Sequence, residues 1–242
     1  MKPLVRIHVW IAKHSTLSRR KAEDLVAQGK VMVNNQPAVV GQKVSDNDQI
    51  TLNDQVIVPQ NTPVRLLALN KPVGYVCSHQ PQGDERSVDE LLPPLDNSQW
   101  TYIGRLDINT SGLLLVTTDG QLANQIGHPS QGWTRVYRAR VSGKLSSKQL
   151  DQLRQGVELE DGIAMCETIR QVKKQSQGRN TWYELSLAQG RYRMVRRLFE
   201  SQGVQVSRLI RTGFGAIQLS QNHPMGQYHE IDITWVQQLI AK

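Results

Sequence analysis

Gly104-Arg105-Leu106-Asp107-Ile108-Asn109-Thr110-Ser111-Gly112-Leu113-Leu114-Leu115 is a polar loop that holds one arginine and one aspartate and runs directly into an apolar strand. Glycines at 104 and 112 allow tight backbone at each end of it. Leu113-Leu114-Leu115-Val116-Thr117-Thr118 is an apolar run of strand length, expected to be buried. By spacing alone the loop reads two ways. It is an Asp-Asn turn with a chance arginine, or a carboxylate and a guanidinium held at the edge of a sheet.

The segments around it are mostly strands. Arg65-Leu66-Leu67-Ala68-Leu69-Asn70 reads as a buried strand ended by the turn Lys71-Pro72-Val73-Gly74, and Tyr75-Val76-Cys77-Ser78 is expected to pair with it. Ser87-Val88-Asp89-Glu90 has capping-box form ahead of a short helix that Pro93-Pro94 stops. Val136, Arg138 and Arg140 alternate with Tyr137, Ala139 and Val141, and residues 181–189 alternate again. Val195 to Gly203 reads as a helix with glycine at its end. Strands with interspersed helices give an α+β class.

Residues 1–61 read as a separate small domain, with a larger one over 62–242. Leu4, Ile7, Trp10 and Ile11 recur at helical spacing. Ser18 stands as the N-cap of a second helix over 19–28, with Gly29 as its C′ residue. Two β segments follow, residues 31–35 and 49–58, the second carrying a hairpin turn at Asn53-Asp54. Residues 58–63, with Pro59 and Pro63, read as the linker.

Charge points to an acidic partner. The 242 residues carry 29 Lys plus Arg against 21 Asp plus Glu, a net charge of +8. Residues 188–211 alone hold Arg191, Arg193, Arg196, Arg197, Arg208 and Arg211 against one acid, Glu200, which is hard to read as generic solubility. Cys77 and Cys166 stand apart, without metal-ligand spacing, so no metal is expected and a reducing, cytoplasmic setting is. The N-terminus lacks signal-peptide form, and no stretch has the length of a membrane span, so no membrane partner is expected.

Residues 104–115 resemble the catalytic motif of pseudouridine synthases of the RsuA/RluB type. Residues 187–211 resemble the arginine motif of the same family, in the same order, and Val136-Tyr137-Arg138 its tyrosine motif. Residues 67–78 are similar to the strand-turn-strand that opens the catalytic domain, and residues 18–38 to the S4-type RNA-binding module that often precedes it. At His14-Ser15-Thr16 the chain departs from the module, which often has a glycine at that turn. Residues 104–124, 156–162 and 202–211 are most similar to the RluB-like subgroup, which acts on large-subunit ribosomal RNA.

The resemblance implies a small S4-type (αL) domain followed by a catalytic domain on a mixed, mostly antiparallel sheet. It implies Asp107 as the catalytic carboxylate, Tyr137 as the ring that stacks on uracil and helps remove its C5 proton, and Arg196 as the ion partner of Asp107. Arg105 would enter the space left by the flipped nucleotide. Arg19, Arg20, Lys21, Lys30, Arg191 and Arg193 would contact RNA, the first two at a helix N-terminus that favours phosphate. The chemistry needs no cofactor, and no nucleotide- or metal-binding motif is found in the chain. The expected partner is ribosomal RNA, free or in a precursor particle, bound by a monomer. The rivals are a small-subunit enzyme of RsuA type and a ribosome-assembly factor with a retired active site.

Overall fold

The computed structural model describes residues 4–59, 63–96, 98–172 and 180–240. Gln60, Asn61 and Thr62 of the expected linker lie outside these. The chain separates into two compact units. One is formed by residues up to Val64 with Pro94–Thr101 and Thr118–Gly120, the other by Arg65–Pro93, Tyr102–Thr117 and Gln121 onward.

In the first unit, helices α1 (Ile7–Lys13) and α2 (Arg19–Ala27) cover a small antiparallel sheet. Ser18 caps α2 by accepting from Lys21 N–H at 3.2 Å. Gly29, at φ 69°, ends it in a Schellman turn, its N–H on Val26 O and that of Lys30 on Leu25 O. Ile7, Trp10, Ile11, Leu25 and Val26 meet Val31, Val44 and Ile50 in one apolar core. Leu4 does not belong to that stripe. It is exposed, because Val5–Arg6 pairs as a strand with Lys43–Val44 and the helix begins only at Ile7.

The turn at His14-Ser15-Thr16 closes without glycine. Ser15 Oγ donates to Ile11 O at 2.7 Å and accepts from Leu17 N–H at 3.3 Å. Asn53-Asp54 forms the expected hairpin turn, both residues at positive φ. Asn34-Asn35 does the same between Val31–Val33 and Gln36–Pro37, so residues 31–35 are a strand and a turn rather than one strand.

The second unit is built on a sheet. Its main strands are β1 (Leu66–Lys71), β2 (Thr110–Thr117), β3 (Arg135–Ser142), β4 (Thr168–Gln171), β5 (Asn180–Leu187), β6 (Val206–Phe214) and β7 (Tyr228–Glu230), in the order β4-β5-β3-β6-β2-β1-β7. Only the β2–β6 pair on this path is parallel, so the sheet is mixed and mostly antiparallel. Every residue of β1 and β2 is buried, as their apolar runs require. Helices α3 (Gly120–Gly127) and α6 (Ile233–Ile240) cover Leu66, Ala68, Leu113 and Leu115 through Leu122, Ile126 and Val236. Helix α4 (Ser147–Gln155) starts on a capping box of Ser146 and Gln149. Helix α5 (Met194–Glu200) buries Phe199 against Tyr183, ring centres 5.8 Å apart.

Tyr75–Val76 does not pair with β1. Both edges of β1 are taken, by β2 and β7, so Tyr75–Val76 runs parallel to Arg86–Ser87 instead. Gly74, at φ 89°, makes that departure and gives its N–H to Ile108 O at 2.8 Å, which ties the turn to the Asp107 loop. Ser87 caps a 3₁₀ turn over Val88–Leu91 with the expected capping box.

Candidate active site

Asp107 sits in the loop that leads into β2, and each carbonyl of residues 107–110 has an assigned donor. Asp107 O accepts from Thr110 N–H at 2.9 Å and from Lys71 Nζ at 3.3 Å. Ile108 O accepts from Gly74 N–H, Asn109 O from Arg196 Nη2 at 2.9 Å, and Thr110 O from Lys71 Nζ at 2.9 Å. Just before the loop, the Cys77 thiol and the Leu106 backbone exchange contacts at 3.5 Å. The backbone around Asp107 is therefore fixed, while its half-buried carboxylate lines a cleft.

The floor of the cleft is the middle of the sheet. Arg211 on β6 lies opposite Tyr137 on β3 and beside Gly112 on β2. A Cβ at Gly112, whose φ is 104°, would lie 2.2 Å from Arg211 O, so only glycine lets β2 approach β6 there. Tyr137 is 8% exposed and Arg211 1%. The cleft holds about 530 Å³, within the ~300–1,000 Å³ usual for small ligands, and its charged lining is Asp107 with Arg105, Arg135, Arg191, Arg193 and Arg211. Arg135 Nη1 is spent on Trp133 O and Ala188 O, and its guanidinium lies over the Phe214 ring at 4.9 Å. Burial, opposed by Tyr137 and assisted by Arg211, lowers the Arg135 pKa.

Lys71 is fully buried and holds three carbonyls, those of Pro72, Asp107 and Thr110. Burial pushes its pKa down to about 8, against the pull of Cys77 and Asp107 and with help from Arg211.

The arginines of residues 190–197 divide by direction. Arg196 points inward, 8% exposed, and donates to Val206 O at 2.8 Å and to Asn109 O. Burial and then Arg193 lower its pKa, and Asp107 opposes them through space. The expected direct ion pair with Asp107 is not formed among the described residues. The guanidinium has moved one step back and grips the backbone of the loop. Arg197 points away and makes two bonds of 2.8 Å to the Asp161 carboxylate. Arg191 also binds Asp161 and the carbonyls of Gly162 and Ile163, so its donors are turned to a hairpin of Val157–Leu159 and Gly162–Ala164 rather than to the cleft. Arg197 first, then Arg191, holds the Asp161 carboxyl below its ordinary range. Arg193 lines the cleft half-buried at φ 49°, and Arg105 stands exposed on its rim. In the first unit Arg19, Arg20, Lys21 and Lys30 are all exposed on or beside α2.

Sequence reasoning passed over Lys71, read as a turn residue, and Arg135 and Arg211. A signal was there for Arg211: it falls on the buried phase of β6, between Leu209 and Gly213, where a charge must be buried.

One carboxylate and one tyrosine thus face an arginine-lined cleft, an arrangement with the charge to receive an anionic ligand, and the chain also carries a separate small helix-and-hairpin unit. Residues 65–201 match RNA pseudouridylate synthase and residues 5–50 match the S4 domain. The chain belongs to the RNA pseudouridylate synthase family. It is 41% identical over 228 residues to the ribosomal large subunit pseudouridine synthase B of Haemophilus influenzae, covering 92% of this chain and 63% of that protein. It is 42% identical over 225 residues to the protein of that name from Pseudomonas aeruginosa, covering 92% of this chain and 58% of that one. The chain thus spans less than two thirds of these two relatives, whereas it covers 96% of the Buchnera aphidicola protein of that name, at 37% identity. A crystal structure of a pseudouridylate synthase has the same fold, with a TM-score of 0.68 at 23% identity over 97% of this chain and 99% of that one.

Proposed function

We propose that this chain converts a specific uridine of ribosomal RNA to pseudouridine, and that the RNA is that of the large subunit. The observation that carries the reading is that Asp107 and Tyr137 face one cleft whose other charged groups are all arginines. A carboxylate so placed acts on the detaching uracil or its ribose. The Tyr137 ring stacks on the base, and its hydroxyl helps remove the C5 proton. Arg196 supports the carboxylate through the loop backbone. Arg105, on the exposed rim, fills the gap left by the flipped nucleotide, an extrusion that costs about a few kcal/mol. The cations of α2 and Arg193 meet phosphates.

The large-subunit target is supported by the relatives named for it at 37–42% identity. We take the chain to act as a monomer. No described helix is long and apolar enough to cross a membrane. We place the reaction in the cytoplasm, on free RNA or an assembling particle.

The test is chemical mapping of pseudouridine in ribosomal RNA from cells with and without the protein, followed by restoration with the purified chain. One large-subunit site should vanish and return. Loss of a small-subunit site instead would reassign the target. An unchanged map with impaired subunit assembly would make the chain an assembly factor.

A further inference from the structure

Two buried polar atoms in the lining of the cleft have no hydrogen-bond partner among the described residues. Arg211 is 1% exposed, its Nε donates to Leu113 O at 2.7 Å, and its Nη2 meets no acceptor among the described residues. Thr110, 2% exposed, has an unpartnered Oγ1. Both residues line the cleft. Unpaired buried polar groups are costly, most of all a charge, and persist where something else uses them. The other buried cations nearby are engaged: Lys71 holds three carbonyls and Arg135 two. Arg196 also has an idle donor, its Nε, but it does not line the cleft; among the described residues Arg211 alone combines a charge, burial to 1% exposure, an idle donor and a place in the cleft lining.

We propose that Arg211, assisted by the Thr110 hydroxyl, binds the carbonyl oxygens of the flipped uracil and stabilises the negative charge that the base carries while it is detached. The inference rests on the function proposed above. When the C1′–N1 bond breaks, its electron pair passes to N1 and spreads over O2 and O4. The base turns, C5 bonds to C1′, C5 loses a proton and N1 gains one, so the net change is an isomerisation. A fixed guanidinium at the floor meets that charge without reorganisation, in a site shielded from water. Phosphate is the weaker candidate for this group. Phosphate would meet the exposed Arg105 and half-buried Arg193 first, whereas Arg211, 1% exposed, is reached only by a group that enters the cleft. The Phe214 ring, 5.4 Å from Arg211 Cζ, flanks the guanidinium and keeps its plane in place.

The test uses the full chain and a large-subunit RNA transcript containing the mapped uridine. Arg211→Met should lower the single-turnover rate at saturating RNA by about 10²–10³-fold, with RNA affinity within about threefold of the parent. Its melting temperature should not fall, because removing a buried charge with no ion partner offsets the lost bond to Leu113 O; a merely structural arginine would show the reverse. With 5-fluorouridine at the target position C5 has no proton to lose, so the quantity compared is the rate of C1′–N1 cleavage; fluorine itself stabilises the uracil anion, so the defect in that rate should shrink. Arg211→Lys should fall between parent and Arg211→Met, and serves the same comparison if Arg211→Met does not fold. A rate within tenfold of the parent, a weakened affinity with unchanged rate, or an equal defect on both RNAs overturns the proposal. A parent that makes no pseudouridine overturns the proposed function itself.

Discussion

The ammonium of Lys71 donates to the backbone carbonyl of Asp107 from a position with no solvent exposure. With its bond to Thr110 O, and that of Arg196 to Asn109 O, it places two buried cations behind one four-residue loop. Both spend their hydrogen bonds on the chain rather than on the carboxylate. The Asp107 side chain is thereby positioned by its own backbone and left open to the cleft. A reacting group needs this kind of support if it is to stay within a few tenths of an ångström of its working position.

Asp107→Asn should abolish measurable turnover. The least expected loss is the ~10²–10⁴-fold that a positioned proton-transfer group contributes. The two side chains are nearly the same size, and the loop is held by its carbonyls, so stability should change by less than about 0.5 kcal/mol. RNA affinity should be unaffected. Single-turnover assay and thermal melting of the same preparation check both halves, and activity within tenfold of the parent would rule out Asp107 as the catalyst.

Lys71 should set an alkaline limit on the proposed reaction. With a pKa of about 8 its amine is half-deprotonated at mildly alkaline pH, and one of its three carbonyls then loses a donor. The rate at saturating RNA should fall above pH 8. Stability should move the other way. The folded chain binds this proton less tightly than the unfolded chain, whose lysine titrates near 10.5, so between these two values the unfolded state holds more protons. Stability from this group is therefore depressed below pH 8 and recovered as pH rises through the window. Denaturant melts of the parent and Lys71→Met at pH 7.5 and 9.5 should show the difference shifting in favour of the parent at the higher pH.

Arg196 and Arg197 adjoin in sequence and differ in consequence. Arg196→Met strips a charged donor from two carbonyls, each bond being worth ~1.5–3 kcal/mol, offset in part by relief of burying the charge. It should lower both melting temperature and rate, because the Asn109 carbonyl is part of the Asp107 loop. Arg197→Met releases Asp161 at the surface and should change the rate little. Paired melts and rates on the two variants decide it. A larger rate loss at Arg197 would mean that the hairpin carrying Asp161 takes part in the reaction.

The sequence made the sheet legible because its buried strands are uninterrupted apolar runs and its half-buried strand β3 alternates without a break. Glycine and serine marked the ends of α2 for the same reason, since caps are local. Pairing was less legible. Nothing within residues 75–78 reveals that both edges of β1 are already occupied by strands about forty and one hundred and sixty residues later in the chain. In the site, Asp107 and Tyr137 could be matched by motif, but the second layer could not. Whether a buried lysine or arginine faces a carboxylate or a carbonyl depends on a separation of a few ångströms between distant segments. Arg196 illustrates it: helical geometry said only that Arg196 and Arg197 point different ways, the motif match chose Arg196, and neither revealed its acceptors.

The cations beside α2 offer the cleanest separation of holding from reacting. Arg20, Lys21 and Lys30 are exposed, lie in the unit matched to the S4 domain, and are remote in sequence from every cleft residue. If they neutralise phosphates, each releases bound counterions, and affinity falls with added salt by a slope of about 0.7–0.9 per contact. Changing all three to glutamine should weaken RNA binding at low salt and flatten the logarithmic salt slope by about 2–3, through loss of contacts rather than of fold. The rate constant at saturating RNA should stay within about twofold of the parent, since Asp107, Tyr137 and Arg211 are untouched. Titrations across a salt series, with single-turnover rates at saturation, measure both quantities on one RNA. An unchanged slope would mean that these cations do not hold phosphate. A flattened slope accompanied by a lost saturating rate would mean that the S4 unit orients the target uridine in the cleft as well as gripping its flanks.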